Sequence, residues 1–175
     1  LYAALLAEVL QESTFEAAQA GLVAQSGVNY EAFTIQLGGY DERLPDLARL
    51  VASTVRTFQL TQPAFDRKLD LALRQLRDAM RRAPITLASY HRNLAVQAHR
   101  YTNEQLREAA ASMTLADVQA VQSGLLREAE FESLIAGNLR EDEATAMVRQ
   151  LNEVLPTTPL AHERVPQRPV RVLPL

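Results

Sequence analysis

The chain has 175 residues, 47% of them apolar and 22% charged, with a formal charge of −3 and no cysteine. A length of this order suits one domain, which can bury about two thirds of its unfolded surface without a metal or disulfide to hold it. The mild charge argues against a nucleic-acid or membrane surface, no apolar run approaches the ~20 residues that span a bilayer, and the missing cysteines exclude a disulfide framework, a thiolate metal site and a cysteine nucleophile.

Leu1, Leu5, Leu6, Val9 and Leu10 recur at helical spacing, so the sequence opens inside an amphipathic helix. No capping residue or initiator Met precedes it, and the expectation is a piece of a longer protein. Residues 21–26 read as a short strand, with Gly27, Val28 and Asn29 as turn chemistry. Residues 30–37 alternate. Phe33, Ile35 and Leu37 point one way, and Ala32, Thr34 and Gln36 the other, which is the pattern of a half-buried strand. The two strands make a hairpin, broken after the second by Gly38 and Gly39.

A helix follows over residues 43–58, with Pro45 in its first turn and an apolar stripe of Leu44, Leu47, Leu50, Val51, Val55 and Phe58. Residues 61–83 form a longer helix. Thr61 is its N-cap, Phe65, Leu69, Ala72, Leu73, Leu76 and Met80 face inward, and Pro84 ends it. Its outer face interleaves Lys68, Arg74, Arg77, Arg81 and Arg82 with Asp66, Asp70 and Asp78, as expected of a solvated, ion-paired surface. Residues 85–101 are helical, with Leu87, Tyr90, Leu94 and Ala98 inward. The sequences Thr102-Asn103-Glu104-Gln105 and Thr114-Leu115-Ala116-Asp117 each signal a capped helix start, the helices running to about Ser112 and Ser123. Residues 131–136 form a strand, Gly137 and Asn138 turn it, and a last helix covers 141–155 with Asn138 or Arg140 near its cap. Residues 165–175, with Pro166, Pro169 and Pro174, read as a linker into a short strand around 170–173. Strands and helices are segregated, so the fold class is α+β: a small antiparallel sheet backed by a block of helices.

No catalytic constellation emerges. His91 and His99 are two helical turns, roughly 12 Å, apart, too far to share a metal. His162-Glu163 begins a His-Glu-x-x-His pattern that Pro166 breaks. Gly38-Gly39 and Gly137 lack the spaced glycines and Lys-Ser/Thr pair of a phosphate loop. Glu141, Asp142 and Glu143 stand at a helix start, where negative charge is favourable without any cation.

Three stretches look familiar together: Ser13 to Leu22 with its Ala-Gly-Leu ending, Gly39-Tyr40-Asp41-Glu42-Arg43-Leu44-Pro45, and Leu134-Ile135-Ala136-Gly137-Asn138-Leu139. In this order and spacing they resemble the third domain of the pitrilysin and insulin-degrading-enzyme family (M16) of zinc peptidases. The resemblance implies a metallopeptidase M16/LuxS-like domain spanning 1–163, with 164–175 leading to the next domain, and strand-forming sequence ahead of Leu1. It implies a non-catalytic role, forming part of the wall of a peptide-substrate chamber and scaffolding the C-terminal half of the parent. No metal or catalytic residue is expected in this chain, and zinc belongs to another domain of the parent. The partners are other domains of the same polypeptide and a peptide substrate. Ala32, Thr34 and Gln36, on the sheet face away from the helices, are the candidates for facing the chamber. Gly39, Tyr40, Pro45, Gly137 and Asn138 are structural turn and cap residues. The Ala-, Leu-, Arg- and Gln-rich composition fits a GC-rich bacterium, and the bacterial relatives that the resemblance implies include pitrilysin and proteases assigned to pyrroloquinoline quinone biosynthesis. A free-standing helical interaction module and an inactive assembly subunit of the same family are the competing readings.

Overall fold

The computed structural model describes residues 1–28, 32–97 and 100–160, and everything below concerns those residues. The elements run α1 (Tyr2–Ser13), α2 (Phe15–Gln19), β1 (Val23–Val28), β2 (Phe33–Gly38), α3 (Leu44–Thr57), α4 (Gln62–Asp78), α5 (Pro84–Val96), α6 (Asn103–Ala111), α7 (Leu115–Arg127) and α8 (Glu141–Val154). Short 3₁₀ turns at Asp41–Arg43 and Ala79–Arg81 lead into α3 and out of α4. The α+β class is as the sequence predicts.

Helix α1 is the centre of the fold. Tyr2, Leu5, Leu6 and Leu10 are buried on it, and it packs against β1, α3, α4 and α7. The core adds Leu22, Leu47, Val51, Val55, Phe58, Phe65, Val118 and Leu155. The Tyr2 ring lies 5.8 Å from Phe33 and 5.7 Å from Phe58, tilted to both, and so ties the hairpin to the end of α3. Burial pushes its hydroxyl pKa up to about 12. Thr14, itself buried, ends α1 by donating its hydroxyl to the Leu10 carbonyl oxygen at 2.7 Å. That bond turns the chain into α2, a helix the sequence pattern does not announce.

Strands β1 and β2 pair antiparallel from Val23 opposite Gly38 to Val28 opposite Phe33. The first strand therefore begins two residues later than expected. Gly21 has φ +84, outside strand geometry, while Gly27 and Val28 are paired strand residues rather than the turn. Asn29, Tyr30 and Glu31 lie outside the described residues.

Other differences follow from helix phase. In α3 the buried stripe is Leu47, Ala48, Val51, Ala52 and Val55, and Leu50 is exposed. At 3.6 residues per turn Leu50 stands well around the helix from that stripe. Helix α4 stops at Asp78 and tightens into the 3₁₀ turn, whose three-residue period swings Ala79 inward and Met80 out. Pro84 does not end α4. Arg82 and Ala83 are extended, as a residue ahead of proline prefers, and Pro84 opens α5. Thr61 is the N-cap residue of α4 but makes no side-chain cap bond. Helix α5 ends at Val96, and Ala98 and His99 lie outside the described residues. Both capping boxes form: the Gln105 and Asp117 backbone N–H groups donate to Thr102 and Thr114 at 3.2 and 3.3 Å, and each side chain accepts from the cap residue's own N–H in return. Helix α7 then runs past Ser123 to Arg127.

Residues 131–136 are not a strand. A strand needs a neighbour for its ladder, and beside this segment the described residues give only the isolated parallel bridge of Glu128 with Thr158. Phe131 is half exposed and Leu134 is 94% exposed. The expected strand at 170–173 lies outside the described residues.

On the basic face of α4, Arg74 meets Asp70 at 2.6 Å and Arg81 meets Asp78 at 3.4 Å. Arg67 and Lys68 instead reach across to Glu8 on α1, at 2.9 and 2.7 Å. The hydrogen bond from Lys68, then that from Arg67, holds the Glu8 carboxyl below its usual value of 4.5. A depressed carboxylate stabilises the fold above its unfolded pKa and loses that contribution as pH falls through the folded value. Glu8→Gln is accordingly expected to cost under ~1 kcal/mol at neutral pH, since the groups are partly exposed. In chemical denaturation, the gap to the parent chain should close as pH drops below 4.5; a pH-independent gap would contradict the ion-pair account.

Candidate functional site

Paired residues of an antiparallel ladder share a face. Ala24, Ser26 and Val28 therefore share one face with Leu37, Ile35 and Phe33, and Ala24, Phe33 and Leu37 pack into the core. Val23, Gln25 and Gly27 share the opposite face with Gly38, Gln36 and Thr34. On that face Val23, Gln25, Thr34 and Gln36 are exposed, as is Ala32 just ahead of β2. Thr34 and Gln36 are thus brought onto the open face of the sheet. Gln25, directly opposite Gln36, joins them. The sequence reading missed Gln25 because it placed the first strand too early; pairing Val28 with Phe33 would have found it. The face carries no charge. Its amides and hydroxyl can donate to or accept from a polypeptide backbone without selecting side-chain charge.

The turn that ends β2 is built from two of the three familiar stretches. A methyl group at Gly39, where φ is +138, would overlap Leu22 Cδ2 and lie 3.1 Å from Leu22 Cα and 3.2 Å from the Gly21 carbonyl oxygen. A methyl at Gly21 would lie 3.4 Å from the Tyr40 ring. Ala20-Gly21-Leu22 and Gly39-Tyr40 are the two sides of one close backbone contact, and each glycine makes room for the other's neighbour. The Tyr40 side chain remains 73% exposed. Pro45 lies in the first turn of α3, where its missing N–H costs nothing.

Gly137 and Asn138 form a bend before α8, but the N-cap is Arg140, not Asn138. The Arg140 N–H donates to Glu143 at 2.9 Å, and its guanidinium meets Asp142 and Glu143 at 3.3 and 3.4 Å. The acidic triplet is thereby accounted for as helix-start chemistry.

His91 is exposed, with its ring 5.0 Å from that of Tyr90. His99 and His162 lie outside the described residues. Among the described residues no three His, Asp or Glu side chains converge as a metal site would require. The donors among the described residues do not form a set that fits a zinc ion. No helix among them is long and apolar enough to cross a membrane.

Similarity to known proteins runs along the chain. The family model described as the middle or third domain of peptidase M16 matches residues 1–109. Human insulin-degrading enzyme is 24% identical over 155 residues, covering 89% of this chain and 15% of the enzyme. A putative zinc protease of Caenorhabditis elegans, C28F5.4, is 26% identical over 148 residues, 85% of this chain and 17% of that protein. A second, mug138 of Schizosaccharomyces pombe, is 23% identical over 179 residues, 99% of this chain and 18% of that protein. These relatives are eukaryotic, where the composition suggested bacterial ones. The crystal structure of pitrilysin superposes with a TM-score of 0.75 at 19% identity, over 87% of this chain and 17% of pitrilysin, which shows a common fold. The chain spans less than a fifth of the length of each relative. With the family match covering well over half of its residues, this chain belongs to the M16 peptidases, as a middle or third domain.

Proposed function

We propose that the chain is a non-catalytic domain of a zinc metalloendopeptidase, where it scaffolds the C-terminal half and supplies part of the wall of the peptide chamber. The carrying observation is the uncharged open sheet face of Gln25, Thr34 and Gln36 in a chain of this family. Its helix-covered side is committed to the core through Phe33 and Leu37, so the polar side is the one left to meet other parts of the parent or its substrate. Amide side chains at neighbouring positions on a sheet suit the backbone of an extended peptide, whose N–H and C=O groups they can satisfy whatever its sequence. The zinc, named in the relatives as zinc proteases, is held elsewhere in the parent polypeptide. This domain then contributes to substrate binding and architecture rather than to bond cleavage.

The reading is tested in the complete peptidase with Thr34→Trp, which adds bulk to the open face. The Michaelis constant for long peptides should rise several-fold while kcat and the zinc content stay as they were. An unchanged KM at every peptide length, with the domain folded, would remove the face from the chamber wall. Chelator-sensitive peptide cleavage by the 175-residue chain alone would overturn the non-catalytic assignment.

A further inference from the structure

A groove of about 470 Å³ runs between the start of α1, the Val28–Phe33 end of the hairpin and α7. Its walls continue the core outward. Val28 lies on the helix-facing side of the hairpin, opposite Phe33, yet it is 70% exposed. Across the groove Val121 is 52% exposed, while Val118, one turn earlier on α7, is buried. Burial therefore stops part-way along two faces whose apolar residues go on. Uncovered apolar surface of this kind marks a contact with further polypeptide.

The chemistry of the lining narrows what fits. Tyr2 is only 8% exposed, and its hydroxyl has no hydrogen-bond partner among the described residues. A buried tyrosine ordinarily finds one. The oxygen is not shut away either, since among the described residues the sealed side-chain polar atom without a partner is the Ser26 hydroxyl. Burial keeps the phenol protonated at neutral pH, so it is a donor. The one charged side chain in the lining, among the described residues, is Asp117, whose carboxylate already accepts from the Thr114 N–H and hydroxyl, both at 2.7 Å. A negative charge at the rim disfavours an anion, so the acceptor that suits Tyr2 is a neutral carbonyl oxygen. Helices spend their carbonyls internally, which leaves extended chain as the source. We propose that an extended stretch of the parent polypeptide, from outside these 175 residues, lies in this groove, with an apolar side chain between Val28 and Val121 and a backbone carbonyl on the Tyr2 hydroxyl. The chain spans less than a fifth of the length of each relative, so a parent of their size has ample chain to supply it. The groove lies at the helix-facing side of the hairpin and not on the open face of Gln25, Thr34 and Gln36, so it stands apart from the chamber-wall reading.

The test places the photoreactive residue p-benzoylphenylalanine at position 121 of the complete peptidase, irradiates it and maps the cross-linked tryptic peptides by mass spectrometry. Position 121 should be joined to a segment of the same polypeptide outside the 175 residues. Cross-links confined to the 175 residues, cross-links to a second copy at doubled mass, or none to protein would overturn the proposal. Val121→Cys repeats the reading with a smaller side chain. Its thiol should react with iodoacetamide about tenfold more slowly in the complete peptidase than in the 175-residue chain alone, as expected when a valine-sized site is covered; equal rates would count against a covered groove. Tyr2→Phe tests the hydroxyl. It should speed amide hydrogen exchange in α7 about fivefold in the complete peptidase, the factor for one net hydrogen bond, and leave it unchanged in the isolated chain. The same response in both, or in neither, would remove the carbonyl from Tyr2.

Discussion

Leu6→Ala is expected to lower the free energy of unfolding by about 3–5 kcal/mol, at the upper end of what a buried leucine truncation costs. Leu6 has no exposed surface, and it sits on the helix that touches the hairpin and helices α2, α3, α4 and α7. Truncation removes the transfer free energy of its side chain and leaves a cavity that several elements would have to move together to close. Against a total of roughly 5–15 kcal/mol for a domain, this is a large share. Urea denaturation followed by circular dichroism would measure it. Leu134→Ala is the matched comparison: the same atoms are removed where the side chain is 94% exposed, and the expected change is within ~0.5 kcal/mol. A Leu6→Ala loss below ~1 kcal/mol would mean that α1 is not the centre of the core.

The same contrast shows what the residue pattern could and could not reveal. Periodicity located α1, α3 and α4 because burial on one side of a helix writes itself into every third or fourth residue. The capping boxes at Thr102 and Thr114 placed two helix starts to the residue, since each is a local hydrogen-bond exchange independent of the rest of the fold. Residues 131–136 misled because their apolar, β-prone character records a preference, whereas a strand is made by its neighbour. Leu50 and Met80 were misplaced by reading apolar residues as a stripe without holding to the helix angle, and by a 3₁₀ turn that no local signal marks. The open sheet face was legible as alternation, but Gln25 was hidden by an error in where β1 begins.

Gly39→Ala is expected to cost about 3 kcal/mol or more, and its cause is unlike that of a core truncation. Two penalties add. At φ +138 an alanine pays backbone strain of ~1–3 kcal/mol that glycine avoids. The new methyl also overlaps Leu22 Cδ2 and crowds Leu22 Cα and the Gly21 carbonyl oxygen. The leucine side chain can rotate away; the backbone atoms can move only if β1 moves with them, and β1 is fixed by its ladder to β2 and its packing on α1. Gly38→Ala one position earlier is the control. A methyl there meets nothing within 4 Å, and the residue has no positive φ, so a change within ~0.5 kcal/mol is expected. Thermal unfolding of the two variants side by side separates the explanations. At ~2–4 °C of melting temperature per kcal/mol for a chain of this size, Gly39→Ala should fall by about 6–12 °C and Gly38→Ala should hardly move. Equal small shifts would show that the hairpin base yields easily, and would refute the close contact on which the pairing of Ala20-Gly21-Leu22 with Gly39-Tyr40 rests.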